Sequence, residues 1–119
     1  MTDDELEQFL RNLSLIVEAV QDSSGYQYIV VRGFVIPCGP LKDRTCDVAL
    51  ARCQTVPYVV PPAIHTRPAL VPMDMQGPYK TQASALGPEW QYWSRRFDKP
   101  PTPQSVWTHI LTVLNQAVV

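Results

Sequence analysis

The sequence contains no long apolar run and no marked excess of charge of one sign. Unbroken apolar stretches such as Ile29–Val31 and Phe34–Ile36 are much shorter than the roughly 18 residues that a membrane-spanning helix needs. The N-terminal residues are acidic, whereas a secretory signal begins with basic residues. Ten basic and 11 acidic side chains give a net charge of -1, which argues against a protein whose main task is to hold a phosphate backbone. We therefore expect a cytoplasmic protein that binds neither membrane nor nucleic acid.

Common catalytic and metal-binding signatures are also missing. The sequence has no Gly-rich phosphate loop, no His-Glu-x-x-His motif and no Gly-x-Ser-x-Gly motif. The three cysteines, Cys38, Cys46 and Cys53, fit neither a disulfide framework nor the paired spacing of a zinc site, so we interpret them as reduced thiols. The two histidines, His65 and His109, have no second ligand at metal spacing. The sequence thus predicts no cofactor and no metal site.

Proline is the residue type in excess. The 119 residues are enough for one domain with one core, and they include 12 prolines. All but Pro37 and Pro40 lie between Pro57 and Pro103. This distribution predicts a long irregular connection over residues 61–88, of the kind that carries function when a rigid scaffold holds it.

Periodicity predicts a helix at each end of the chain. Thr2 and Glu5 form a capping-box pattern at the start of the first helix, and Thr102-Pro103 supplies a cap and a first-turn proline for the last. Apolar residues continue the first helix at helical spacing, namely Leu6, Phe9, Leu10, Leu13, Ile16, Val17 and Val20. The last helix has a buried stripe of Val106, Trp107, Ile110, Leu111, Leu114, Ala117 and Val118.

Three short strands are predicted between these helices. Residues 26–36 are dominated by β-branched and aromatic side chains, Thr45–Ala51 places Cys46, Val48 and Leu50 on one face, and residues 56–60 end at a Pro-Pro pair. The predicted fold class is α+β in a single domain over residues 1–119. Its parts are an N-terminal helix, an antiparallel meander of three to four strands, a long proline-rich loop and a C-terminal helix. Its predicted core comprises Leu6, Phe9, Leu13, Tyr28, Val30, Phe34, Val48, Leu50, Ile110, Leu111 and Leu114.

Residues 90–97 read Trp-Gln-Tyr-Trp-Ser-Arg-Arg-Phe and are the densest in functional side chains. One interpretation is structural, because Trp and Tyr anchor a long loop by burying large areas. A second is stacking of nucleic-acid bases with Arg95 and Arg96 on phosphates, although the chain lacks a wider basic field. His65 is interpreted either as loop packing or as a functional side chain, and His109 as a residue at the helix surface.

Together these motifs resemble the ubiquitin-conjugating fold, and in particular the small bacterial ubiquitin-conjugating-like proteins of operons that also encode an activating enzyme and a ubiquitin-like protein. Residues 56–62 are similar to the family's Tyr-Pro-x-x-Pro-Pro turn with one extra residue, and residues 90–96 to the Trp-Gln-x-Trp-Ser-Arg signature of the prokaryotic branch. Thr102-Pro103 stands where classical members have Trp-Ser-Pro. The resemblance implies a ubiquitin-like protein and its activating enzyme as partners.

The chain departs from the classical pattern at the nucleophile. All three cysteines lie before residue 61, and no His-Pro-Asn motif is present. The family's spacing, counted back from Thr102-Pro103, falls on Trp93 and Ser94. The resemblance therefore makes Ser94 the candidate nucleophile for an oxyester, with a base to take its proton. The further roles it implies are His65 as that base, Arg95 as stabiliser of the oxyanion, and Trp90, Trp93 and Arg96 as partner-binding residues.

Two alternatives remain at this point. A conjugating-enzyme variant without a nucleophile retains the fold and acts as a binding module for a ubiquitin-like protein or an activating enzyme, since a fold does not imply its usual activity. The second alternative is a small nucleic-acid or phage-defence adaptor unrelated to ubiquitin. Such a protein is expected to bind single strands in a salt-sensitive way.

Overall fold

A computed structural model describes residues 1–53 and 55–117, in which two helices flank six strands. In chain order the elements are α1 (Asp3–Asn12), β1 (Ile16–Gln21), β2 (Gln27–Val35), β3 (Thr45–Ala51), β4 (Ala63–Arg67), β5 (Thr81–Ser84), β6 (Gly87–Ser94) and α2 (Pro103–Asn115). The strands form one sheet in the order β1-β2-β3-β4-β6-β5, and every neighbouring pair is antiparallel. The predicted α+β class with a helix at each end is confirmed, and the meander is larger than the three to four strands predicted.

The first helix is shorter than predicted. The hydroxyl of Thr2 accepts the backbone N–H of Glu5, as the capping pattern requires. The helix nevertheless ends at Asn12, and Ser14 adopts a left-handed φ of 64° that redirects the chain. The segment Ile16–Gln21 then pairs with β2 along its whole length. The prediction that this segment is helical was wrong, because its β-branched side chains suit a strand and the partner strand is available.

The proline-rich part of the chain also differs from the prediction. Val56–Val60, predicted as the third strand, lies in an irregular segment, and the strand begins after the Pro-Pro pair at Ala63. β4, β5 and the start of β6 all fall inside the predicted loop. β4 escapes a periodicity search because four consecutive residues are buried, including the polar His65 and Thr66. Buried polar residues remove the alternation by which a strand is recognised.

The main core lies between the two helices and one face of the sheet. Leu6, Val48, Ile110 and Leu114 belong to it, as predicted. A smaller cluster of Tyr28, Val30, Ala49 and Trp90 covers the other face, because side chains of a strand alternate between faces. Leu13 was wrongly placed in the core and is 46% exposed. Of the other predicted core residues Leu50 is buried, and Phe9, Phe34 and Leu111 are partly buried; Val118 of the predicted stripe lies outside the described residues.

α2 begins as predicted. Thr102 is its N-cap, and the side chains and backbones of Thr102 and Ser105 exchange the two hydrogen bonds of a capping box. Pro103 occupies the first turn, where its missing N–H removes no helical bond. The cap fixes where the helix starts and hence which residues face the end of β6. Within residues 1–53 and 55–117, neither helix combines the length and the apolar character needed to cross a membrane.

Candidate functional site

An open cleft of about 420 Å³ lies where the end of β6 faces α2. Ser94 at the end of β6, Arg95 directly after it and Lys80 directly before β5 line the cleft. The helix contributes a polar row of His109, Thr112 and Gln116. The described residues hold no group of three or more metal-ligating side chains.

Ser94 owes its position to the burial of the residue before it. Trp93 is fully buried, and its indole N–H donates to the hydroxyl of Thr66 at 2.9 Å. The backbone N–H of Ser94 donates to the carbonyl of Lys80 at 2.9 Å, and that of Arg95 donates to the carbonyl of Pro62 at 2.8 Å. These bonds fix the backbone on both sides. The Ser94 side chain is partly exposed, and its hydroxyl has no hydrogen-bond partner within the described part of the chain.

Arg95 connects the end of β6 with the segment before β5 through hydrogen bonds. Its guanidinium donates to the carbonyls of Tyr79 at 2.9 Å and Ser94 at 2.8 Å, and it lies 5.4 Å from the centre of the Trp93 ring. Burial lowers the pKa of Arg95, but a guanidinium in a protein stays charged at neutral pH. Arg95 therefore supplies a fixed positive charge beside Ser94.

Two other cations lie close to the same strand end. Lys80 is exposed, lines the cleft and has a left-handed φ of 53°. Arg96 is exposed, and among the residues that the structure describes it forms no ion pair. The cleft is thus lined by the positive charges of Lys80 and Arg95, with exposed Arg96 next along the chain, although the whole chain is nearly neutral. The sequence prediction included Arg96 and missed Lys80.

The structure does not bring His65 to Ser94. His65 lies opposite Tyr92 on the β4–β6 ladder, whereas Ser94 lies opposite Ala63. The His65 ring is only 5% exposed, its Nδ1 is 2.8 Å from the hydroxyl of Ser84, and the rings of Tyr28 and Tyr92 contact it edge-on. Burial lowers the pKa of His65 to about 4. The ring is therefore neutral at pH 7 and already has a serine partner.

Both candidate tryptophans are buried. Trp90 belongs to the small cluster on the outer face of the sheet, and the guanidinium of Arg67 lies 4.7 Å from the centre of its ring. Trp93 belongs to the main core. In the structure neither ring lies on the surface, so both hold the strand that ends in Ser94.

His109 is the cleft residue that the sequence analysis treated as an ordinary helix-surface position. Its Nε2 is buried and has no hydrogen-bond partner among the described residues, and the ring of Phe97 contacts it edge-on at 5.4 Å. Burial lowers the pKa of His109. A hydrogen bond with the backbone of Arg95 and the charge of Asp98 act in the opposite direction but are too weak to cancel this effect. The available signal was the spacing 109, 112, 116, which puts three polar side chains on one helix face.

The three thiols lie away from this cleft. Cys46 is buried in the main core, and burial raises its pKa to about 11. Cys53 lines a separate cleft of about 520 Å³ beside the start of α1. Partial burial of Cys53 favours the thiol, but hydrogen bonds from Thr55 and from the N–H of Val59 outweigh it and lower the pKa. Cys38 is exposed. None of the three lines the Ser94 cleft.

The order of the elements, with a helix before an antiparallel sheet and a second helix after a proline-rich crossing, is that of a ubiquitin-conjugating-like protein. Residues 2–118 match the family model described as Prokaryotic E2 family E, and the chain belongs to that family. Membership implies a role in conjugation of a ubiquitin-like protein, with that protein and an activating enzyme as partners. Comparison with curated proteins and with solved structures gives no match.

Proposed function

We propose that this chain accepts the C-terminus of a ubiquitin-like protein on Ser94 as an oxyester and passes it to an amine of a target. Two observations support the proposal: Ser94 is a lining residue of an open cleft, and it stands at the position that the family's spacing assigns to the nucleophile. The other hydroxyl-bearing residue that lines this cleft is Thr112, whose hydroxyl donates to the carbonyl of Thr108 at 2.8 Å. Ser94 is therefore the better-placed nucleophile of the two.

The transfer takes place in two steps, formation of the oxyester and its attack by the target amine. The ubiquitin-like protein arrives as a C-terminal thioester on a cysteine of its activating enzyme. The Ser94 oxygen attacks the carbonyl carbon, the carbon–sulfur bond breaks, and the proton of the hydroxyl passes through a base to the leaving sulfur. In the second step the target amine attacks the oxyester, the carbon–oxygen bond breaks and Ser94 recovers a proton. A base is required because a serine hydroxyl is a weak nucleophile at neutral pH.

The cations around the cleft suit this chemistry. Each attack places negative charge on the carbonyl oxygen, and positive groups held beside that oxygen stabilise such charge. Arg95 holds its charge beside Ser94 through two carbonyl bonds, and Lys80 adds a second charge at the rim. Exposed Arg96 is free to contact an acidic surface of the partner. Because the activation consumes ATP, we place the reaction in the cytoplasm.

A second candidate function is supported by the position of the thiols. No cysteine lines the cleft, so a chain that lost the nucleophile and kept the fold would have this structure. Such a protein would bind the ubiquitin-like protein or the activating enzyme without forming a covalent bond. Exposed Lys80 and Arg96 would then serve only to attract an acidic partner.

Intact-mass spectrometry distinguishes the two functions. The chain is mixed with the activating enzyme, ATP and the ubiquitin-like protein, and Ser94→Ala is compared with Ser24→Ala, an exposed serine in the turn between β1 and β2. The proposal predicts an adduct that forms in the parent and in Ser24→Ala and is absent in Ser94→Ala. Binding of either partner without any adduct would establish the binding module instead.

A further inference from the structure

The two edges of the sheet differ in how much unpaired backbone they present. At one edge, β5 has four residues, and its Thr81 exchanges two backbone hydrogen bonds with Asp74, at 2.9 and 3.4 Å. At the other edge, β1 has six residues, and within the described part of the chain it has a neighbour on one side only, namely β2. β1 is therefore the long open edge of the sheet, and such edges are places where another strand adds.

The hydrogen bonds around β2 show which backbone groups of β1 point outward. The N–H of Asp22 donates to the carbonyl of Tyr26 at 3.0 Å, and on the other side of β2 the N–H of Arg52 donates to the carbonyl of Gln27 at 2.9 Å. Bonded and non-bonded positions alternate along an antiparallel pair. With the observed register, the residues of β1 that bond to β2 are Ile16, Glu18 and Val20. The N–H and C=O groups that point away from the sheet therefore belong to Val17, Ala19 and Gln21.

β1 lacks most of the features that keep edge strands apart. Its six residues include no proline and no lysine, and its register with β2 has no bulge. Its one charged side chain, Glu18, is paired with Arg32 at 3.0 Å, and the apolar Ile16 is 65% exposed. Ala19 is also exposed, although it lies opposite Ile29 of the main core on the face that the helices cover. The helix layer therefore does not block this edge.

We infer that two copies of this chain associate through β1 as an antiparallel pair, which joins their sheets across a twofold axis at Ala19. In this register Ala19 faces the partner's Ala19, and Val17 faces the partner's Gln21. All three outward-pointing residues of each strand then lie in bonded pairs, which gives about six hydrogen bonds across the axis. The inference is independent of the proposed function, and the cleft that Ser94 lines stays open because β6 lies toward the other edge of the sheet.

Charge favours this register over its neighbours. With the axis at Ala19, Glu18 lies opposite the partner's Val20, and exposed Ile16 lies opposite the partner's Asp22. A shift of two residues would place Glu18 opposite the partner's Glu18 in one direction and opposite the partner's Asp22 in the other. Like charges directly opposite each other are destabilising. The strand is thus complementary to itself in one register, which is the property that a twofold interface requires.

Sedimentation velocity from low micromolar to millimolar concentration measures the association. We expect the parent to pass from 13.4 kDa to twice that mass. Ala19→Pro removes an outward N–H, which an edge strand tolerates when this group faces solvent, and it should raise the dissociation constant by about tenfold or more. Ala83→Pro is the matched control on β5, where the N–H of residue 83 points away from β6. It should leave the dissociation constant unchanged.

A pair of charge variants tests the register. Ile16→Lys would face the partner's Asp22 and tighten the dimer, whereas Ile16→Glu would weaken it, so their dissociation constants should differ by about fourfold or more. Gln104→Lys and Gln104→Glu place the same charges at an exposed position of α2 and should have equal constants. Because Ile16 is exposed in one chain, its variants decide the question if thermal melting shows that Ala19→Pro does not fold.

Four results would each overturn the inference. The first is a parent that stays monomeric at every concentration. The second is a folded Ala19→Pro that associates as tightly as the parent, and the third is equal dissociation constants for the two Ile16 variants. The fourth is growth beyond twice the mass of one chain, because one open edge per chain limits the assembly to two copies.

Discussion

Trp93 and Thr66 form a fully buried hydrogen bond between β6 and β4, with the indole nitrogen donating to the threonine hydroxyl at 2.9 Å. Trp93 fills the main core while the next residue, Ser94, reaches the open cleft. The bond thus ties the candidate nucleophile to the centre of the sheet. Preorganisation of this kind is what holds a reacting group in place.

Thr66→Val should lower the free energy of unfolding by about 1–3 kcal/mol, because the indole N–H would remain buried without an acceptor. Urea denaturation measures the change. Thr108→Val, at an exposed helix position, is the control and should change the stability by less than about 0.5 kcal/mol. If Thr66→Val is as stable as the parent, this bond does not hold β6.

Two leucines of the first segment should differ sharply in their effect on stability. Leu6 is 1% exposed and packs in the main core, so Leu6→Ala should cost about 2–5 kcal/mol. Leu13 lies at the C-cap of α1 and is largely exposed, so Leu13→Ala should cost well below that range. Equal losses in chemical denaturation would show that α1 packs differently from this description.

The thiols should react at different rates with an alkylating reagent. At pH 8 Cys53 should be labelled faster than Cys46, because its hydrogen bonds favour the thiolate whereas burial raises the pKa of Cys46 to about 11. Peptide mapping after timed quenching measures both rates. In denaturant the two should converge, which is the control. Equal labelling of the folded chain would contradict the environments described for these residues.

The buried His65 should make stability depend on pH. Its pKa is about 4 in the folded chain against 6.5 when exposed, so between these values the unfolded chain binds more protons. Stability is then complete above pH 6.5 and falls as the pH drops toward 4, by up to about 3 kcal/mol. His65→Gln removes the titrating group and should flatten this part of the profile. The same slope in parent and variant would contradict the assignment.

How far the sequence predicts the fold depends on the local signal. The cap at Thr102 and the β-branched residues of β2 were enough to predict α2 and that strand. Ile16, Val17 and Val20 fit a helix stripe and a strand equally well, and pairing with β2 decided between them. β4 could not be recognised from the local sequence, because Thr66 is a polar residue whose buried hydrogen-bond partner, Trp93, lies far along the chain. Such choices are made by tertiary contacts.

The candidate site was predictable to a similar degree. Ser94 was predicted from the family's spacing alone, and in the structure it lines a cleft together with Lys80 and Arg95. Lys80 and His109 come from other elements and carry no local motif, so only the fold brings them together. His65 was chosen because it lay in the predicted loop, but that segment is a strand and its ring is packed between tyrosines.

The most direct test of the central claim is to locate the acyl group on the adduct. The chain is loaded with the ubiquitin-like protein, digested and sequenced by tandem mass spectrometry, with one sample treated with thiol reductant and another with mild hydroxide. We predict a C-terminal remnant on Ser94 that survives the reductant and is removed by hydroxide. A remnant on Cys38 or Cys53 that the reductant removes, or an amide on Lys80, would contradict the claim.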